Sequence, residues 1–208
     1  MYLFTRRGRL NSAAGVEWAV SILGRVKEVT GNDVQLWANA FSPGFGTVSW
    51  TTWWADLASL ETAMTALQGD AKYNTLGAEG PSFIQGDVDD SLIQTIYGEP
   101  DAEAPNQYVN GVQAVCASGN FVRGMTTGVE IAQKVEAISG VPMLFARSLT
   151  GPYGAVGWLS GYENLAAFET GQEKLAADPG WLEYIDSTKG CYVEDAVITQ
   201  STLYTKLA

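Results

Sequence analysis

Apolar residues recur along this chain with two periods, one helical and one alternating, and their order is written twice. Val16, Ala19, Val20, Leu23 and Val26 fall at helical spacing, and Gly31 follows where a helix ends on a left-handed residue. DVQLWANAF (33–41) and TVSWTTWW (47–54) alternate as strands, joined by SPGFG, whose proline and glycines supply the torsions of a reversal. Asp56 is placed to cap a second helix whose stripe is Leu57, Leu60, Met64 and Leu67. YLFTRRGRL precedes this block and LIQTIY follows it, so the first half reads strand, helix, strand, strand, helix, strand.

The second half repeats that order. GVQAVCA predicts its first strand, and Val129, Ile131, Val135 and Ile138 mark the first helix. MLFARSL and AVGWLSG pair through TGPYG, Asn164 caps a helix carrying Leu165, Phe168 and Leu175, and VITQSTLY is the last strand. An offset of 108 aligns Gly46, Val48, Trp50, Leu57, Glu61 and Asp70 with Gly154, Val156, Trp158, Leu165, Glu169 and Asp178. That alignment gives 9 identities over the 29 positions 42–70, too many in order for chance. Upstream the offset is 109 (Ile22 with Ile131, Gly31 with Gly140), which places a one-residue insertion near Asn32 and Asp33. The chain reads as a duplication: one repeat over 1–98, an acidic proline-containing linker over 99–107, and a second repeat over 108–208.

Each βαββαβ unit predicts a four-stranded antiparallel sheet with both helices on one face. The helix-free face is apolar too: Trp37 and Phe41 alternate against Val34, Leu36 and Ala38, and Trp50 opposes Trp53. At roughly 25 cal/mol per Å² of exposed apolar surface, leaving that face in water would cost an amount comparable to a domain's whole stability. The expected fold is therefore α+β: two ferredoxin-like repeats whose antiparallel sheets pack face to face as an α+β barrel.

Charge and composition narrow the chemistry. A formal charge of -11 excludes the clustered basic surface that nucleic acid or an anionic membrane requires. No stretch approaches the ~18 apolar residues of a membrane span, and a soluble, cytoplasmic protein is expected. The sequence has no histidine, which removes imidazole acid–base chemistry, a proximal-histidine haem and histidine zinc sites. Cys116 and Cys191 are too few for a disulfide framework or a metal site and are expected as reduced, buried thiols. No phosphate-binding glycine motif or zinc spacing occurs, so no cofactor and no metal are expected.

The pattern G-x-V-x-W, followed by an aromatic residue, Asp or Asn, Leu and a Glu four residues on, resembles the dimeric α+β barrel superfamily. That superfamily includes antibiotic-biosynthesis monooxygenase-like and NIPSNAP-like domains. GAVGWLSGYENLAAFETGQEKLAADPGW carries the likeness most fully, and the first repeat is a diverged copy. The resemblance implies a cavity under the helices or inside the barrel that holds a small aromatic or apolar ligand. It also implies that Trp and Asn serve oxidation of phenolic or quinol substrates in some cofactor-independent members. Trp37 and Asn39 share one strand face, and Phe145 and Arg147 are expected on the matching face of the second repeat, with Trp50 and Trp158 as further lining. Glu61 and Glu169 recur beside the second helix, where each serves a ligand or instead caps an amide or pairs with an arginine. Arg7 is expected to meet an anionic group or one of the chain's acids, since Val115 and Cys116 stand where the first repeat has Arg6 and Arg7. The reading favoured is a non-catalytic small-molecule-binding or assembling barrel; the alternative is a cofactor-independent monooxygenase. Homo-oligomerisation through strand edges or helices is left open.

Overall fold

The structure is a computed structural model that describes residues 1–101, 104–195 and 199–208. The first repeat runs β1 (Tyr2–Arg9), α1 (Ala14–Thr30), β2 (Val34–Ala40), β3 (Thr47–Trp54), α2 (Leu57–Gly69), α3 (Ala71–Glu79) and β4 (Asp89–Tyr97). The second runs β5 (Tyr108–Val115), α4 (Phe121–Ser139), β6 (Met143–Ser148), β7 (Ala155–Tyr162), α5 (Leu165–Ala177), α6 (Pro179–Ser187) and β8 (Gln200–Lys206). Ala102 and Glu103 of the expected linker, and Val197 and Ile198 of the expected last strand, lie outside the described residues.

The eight strands close an antiparallel barrel in the order β1-β3-β2-β8-β5-β7-β6-β4, the expected fold class. Each repeat keeps the same internal order, last strand, first, third, second. Two compact units result, Met1–Leu92 with Thr205–Ala208, and Ile93–Tyr204, with boundaries inside β4 and β8. In the first unit the chain end joins β2, where Leu207 N–H donates to the Leu36 carbonyl at 2.8 Å. In the second, β4 pairs with β6 from Ile93 opposite Ser148.

The helix ends follow the sequence signals. Gly31 (φ 70°) and Gly140 (φ 78°) terminate α1 and α4, and the side chains of Asp56 and Asn164 accept from Ser59 N–H and Ala167 N–H. The sequence pattern anticipated four helices; the structure adds α3 and α6, each started by an aspartate, Asp70 or Asp178, that both ends one helix and caps the next. A tryptophan ties each sheet to its first helix. Trp50 Nε1 donates to the Ala19 carbonyl at 2.9 Å, and Trp158 Nε1 to the Gly128 carbonyl at 2.8 Å.

Strand register corrects three alignments. Trp50 pairs with Leu36 and Arg6, whereas Trp158 pairs with Phe145 and Val112. Phe145 therefore corresponds to Leu36, not to Trp37, and packs into the core under α4 while Trp37 lies on the helix-free face of β2. Arg6 and Arg7 correspond to Val112 and Gln113 rather than Val115 and Cys116. The extra residue lies in the β2–β3 turn and not at Asn32–Asp33, because the offset is still 109 at Leu36 and Phe145. In that turn Phe41 adopts φ 50° and is 86% exposed, beyond the strand alternation that grouped it with Trp37.

Candidate ligand-binding site

The first unit contains a cavity of about 570 Å³ between its sheet and its helices. β1 contributes Phe4 and Arg6, β3 contributes Trp50, Thr52 and Trp54, and α1 contributes Trp18, Ile22 and Val26. Val34 of β2, Met64 and Leu67 of α2, Tyr73 of α3, Ile84, Val88 and Asp90 also line it. Alternation explains the sheet's share, since Phe4 and Arg6 on β1 face the helices with Trp50, Thr52 and Trp54 on β3. Trp18 sits edge-on to Trp50 with centroids 5.8 Å apart and stacks on Phe83 at 5.6 Å, which fixes the aromatic wall.

One polar cluster interrupts this apolar lining. Arg6 donates from Nε and Nη2 to the two carboxylate oxygens of Asp90 at 2.7 and 2.6 Å, and from Nη1 to the Tyr73 hydroxyl at 3.0 Å. The Asp90 hydrogen bonds raise the Arg6 pKa above its ordinary value, although burial works against them. The forked contact engages both carboxylate oxygens of Asp90. Trp54 is 6% exposed, and its indole N–H has no acceptor among the described residues.

In the second unit the equivalent positions carry bulk. Tyr192 replaces Ile84, Trp181 replaces Tyr73, Val112 replaces Arg6, and all three pack on the core around Trp158. Tyr192 meets Trp158 edge-on at 5.5 Å and donates to the Gly124 carbonyl at 2.7 Å. Phe145 lies 5.2 Å from Trp158 on the same face. Burial drives the Tyr192 phenol well above its ordinary range, as expected of a hydroxyl committed to packing.

Of the nine residues singled out from sequence, Trp50 lines the cavity, and Trp158 holds the equivalent place in the second unit's core. Trp37 lies on the helix-free face, donates to Thr51 Oγ1 at 3.1 Å and has Lys206 Nζ 5.9 Å from its ring. Asn39 donates to the Pro43 carbonyl at 2.8 Å and braces the turn. Arg147 donates to Gln94 Oε1 at 3.0 and 2.8 Å on the exposed surface. Arg7 is exposed on the helix-free face, opposite Ser49. Glu61 and Glu169 are exposed on α2 and α5, and among the described residues neither caps an amide nor pairs with an arginine. Cys116 and Cys191 are reduced and buried, and burial raises the Cys116 pKa. Among the described residues no helix is long and apolar enough to cross a membrane, and no group of three metal-ligating side chains occurs.

Sequence reasoning missed Tyr73, Asp90, Trp18 and Trp54, and chose Arg7 where its neighbour Arg6 reaches the cavity. The signal was present in the duplication. In correct register, Arg6 and Tyr73 stand where the other copy has Val112 and Trp181.

No protein-family model matches the chain, and no curated protein matches it by sequence. Solved structures do. A presumed monooxygenase of Fusobacterium nucleatum aligns at a TM-score of 0.71 and 10% identity, covering 100% of this chain and 92% of that one. An anthrone oxidase-like protein aligns at 0.69 and 8% identity, covering 100% and 91%. A haem-degrading enzyme of Listeria monocytogenes aligns at 0.54 and 7% identity, covering 99% of each chain. At these identities what is shared is the architecture, and the chain takes its place beside these proteins as an eight-stranded α+β barrel.

Proposed function

We propose that the first repeat binds one small, largely apolar aromatic molecule in the cavity beneath α1, α2 and α3, without chemical conversion. The observation that carries this reading is the cavity itself: its volume falls within the range of small-molecule sites, and its walls are aromatic and aliphatic around a single polar cluster. Catalysis by proton transfer needs a free base in reach of the ligand. Arg6, Asp90 and Tyr73 are the ionisable side chains in the lining, and Asp90 is occupied by Arg6 through both oxygens. The lining does not fit a haem iron, because the chain has no histidine and both Tyr73 and Asp90 are engaged by Arg6.

The second reading, a cofactor-independent oxidation of a phenolic or quinol-like molecule, draws support from the fold neighbours named for oxidation and from the monooxygenase-like sequence pattern. One experiment separates the two. Titration with bicyclic aromatic compounds, followed by quenching of tryptophan emission, is expected to saturate at one molecule per chain. Oxygen consumption with a panel of quinols is expected to stay at the uncatalysed rate. Turnover that disappears in Ile84→Tyr would replace binding by oxidation, and no saturable quenching by any compound would remove both readings.

A further inference from the structure

The polar cluster in the cavity has a composition that discriminates between ligands. Arg6 is the cationic side chain of the lining, and Asp90 neutralises it through a two-pronged contact. The pair is partly accessible, with side-chain exposures of 35% and 45%, so an entering ligand meets it as a neutral unit. The Tyr73 hydroxyl accepts a hydrogen bond from Arg6 Nη1, which leaves its own proton without an acceptor among the described residues. A hydroxyl donor at the cavity wall without a protein acceptor is satisfied when a ligand brings an oxygen.

We infer that Arg6, Asp90 and Tyr73 together act as a charge filter: the cavity selects uncharged aromatic molecules bearing a hydrogen-bond-accepting oxygen, and Asp90 is what keeps anionic ones out. This rests on the cavity being the binding site. A carboxylate ligand would have to displace Asp90 from Arg6 or sit beside its negative charge, and an ammonium group would have to draw Asp90 away from Arg6. Asp90 acts through Arg6 and Tyr73 offers its proton to the ligand, so the two make separable contributions.

Three probes of nearly equal shape test this by equilibrium dialysis: 2-acetylnaphthalene, 2-ethylnaphthalene and 2-naphthoate. The unsubstituted protein is expected to bind the ketone about tenfold more tightly than the hydrocarbon, and the carboxylate weakest of the three. Asp90→Asn is expected to raise affinity for 2-naphthoate about tenfold while leaving 2-ethylnaphthalene unchanged. Tyr73→Phe is expected to shrink the ketone's advantage over the hydrocarbon without improving the carboxylate. Tightest binding of 2-naphthoate by the unsubstituted protein, or equal affinity for all three probes, overturns the filter and leaves the binding reading standing. Failure of all three to bind overturns both. Should Asp90→Asn not fold, the ranking in the unsubstituted protein and the Tyr73→Phe ratio decide the matter.

Discussion

The two repeats solve the same packing problem with different volumes. In the first, Ala19 of α1 faces Leu36 of β2; in the second, Gly128 of α4 faces Phe145 of β6. A tryptophan on the third strand hydrogen-bonds the carbonyl of that small helix residue in both copies. A β-carbon on Gly128 would lie 2.2 Å from Phe145, so the larger ring is accommodated only because the helix offers no side chain. Beyond this contact the copies diverge further: Tyr192 and Trp181 fill the second, whereas Ile84 and Tyr73 leave the first open around Arg6. The two repeats offer equivalent places, and side-chain volume leaves that of the first open and that of the second filled.

The comparison breaks most visibly at Gly128. Gly128→Ala is expected to cost about 3 kcal/mol in chemical denaturation, since overpacking at a buried ring is poorly relieved. Adding Phe145→Leu should recover much of that loss, because it recreates the Ala19–Leu36 pair. A neutral Gly128→Ala would contradict the register on which the comparison stands.

Emptying the second repeat is the next largest effect. Tyr192→Ile removes the edge-on ring from Trp158 and the hydrogen bond to Gly124, and should cost about 2 kcal/mol, seen as a lower unfolding midpoint. Its converse, Ile84→Tyr, puts the second repeat's residue into the cavity of the first. Ligand affinity should fall at least about tenfold with little change in unfolding midpoint. Unaltered affinity would mean that the ligand lies elsewhere.

The smallest effect is electrostatic. The Asp70 carboxyl is held at about 2, chiefly by hydrogen bonds from Arg25 and also by the Tyr73 N–H that it caps. A folded-state value below the unfolded one near 3.9 stabilises the protein fully above about pH 4, and that contribution disappears as pH falls through 4 toward 2. Asp70→Asn should therefore narrow the stability gap between pH 5 and pH 2.5 relative to the unsubstituted protein, as read by thermal unfolding at each pH. Asp178 makes the same cap to Trp181 N–H in the second repeat, where Lys134 stands in place of Arg25. An Asp70→Asn profile parallel to that of the unsubstituted protein would count against the Arg25 pairing.

Much of the architecture was legible in the chain because duplication writes each signal twice. Gly31 and Gly140, Asp56 and Asn164, and the paired Trp50 and Trp158 identify helix ends, caps and the core strand without reference to coordinates. Register was harder to read. The one-residue shift in the β2–β3 turn is silent in composition, yet it turns Trp37 and Phe145 to opposite faces, and the pocket inferred from matching them dissolved with it. The short helices α3 and α6 were hidden because Asp70 and Asp178 serve as an end and a start at once. The cavity depends on Asp90 of β4, 84 positions from Arg6, and on volumes contributed by six other strands and helices, which no local pattern encodes.

The claim that one repeat is open and the other filled is tested most directly by crystallography with 6-bromo-2-naphthol, using anomalous scattering from bromine. One peak per chain is expected, among Trp18, Trp50, Trp54 and Met64 of the first repeat. A peak beside Trp158 and Tyr192, equal peaks in both repeats, or none at either place at saturating ligand would contradict it.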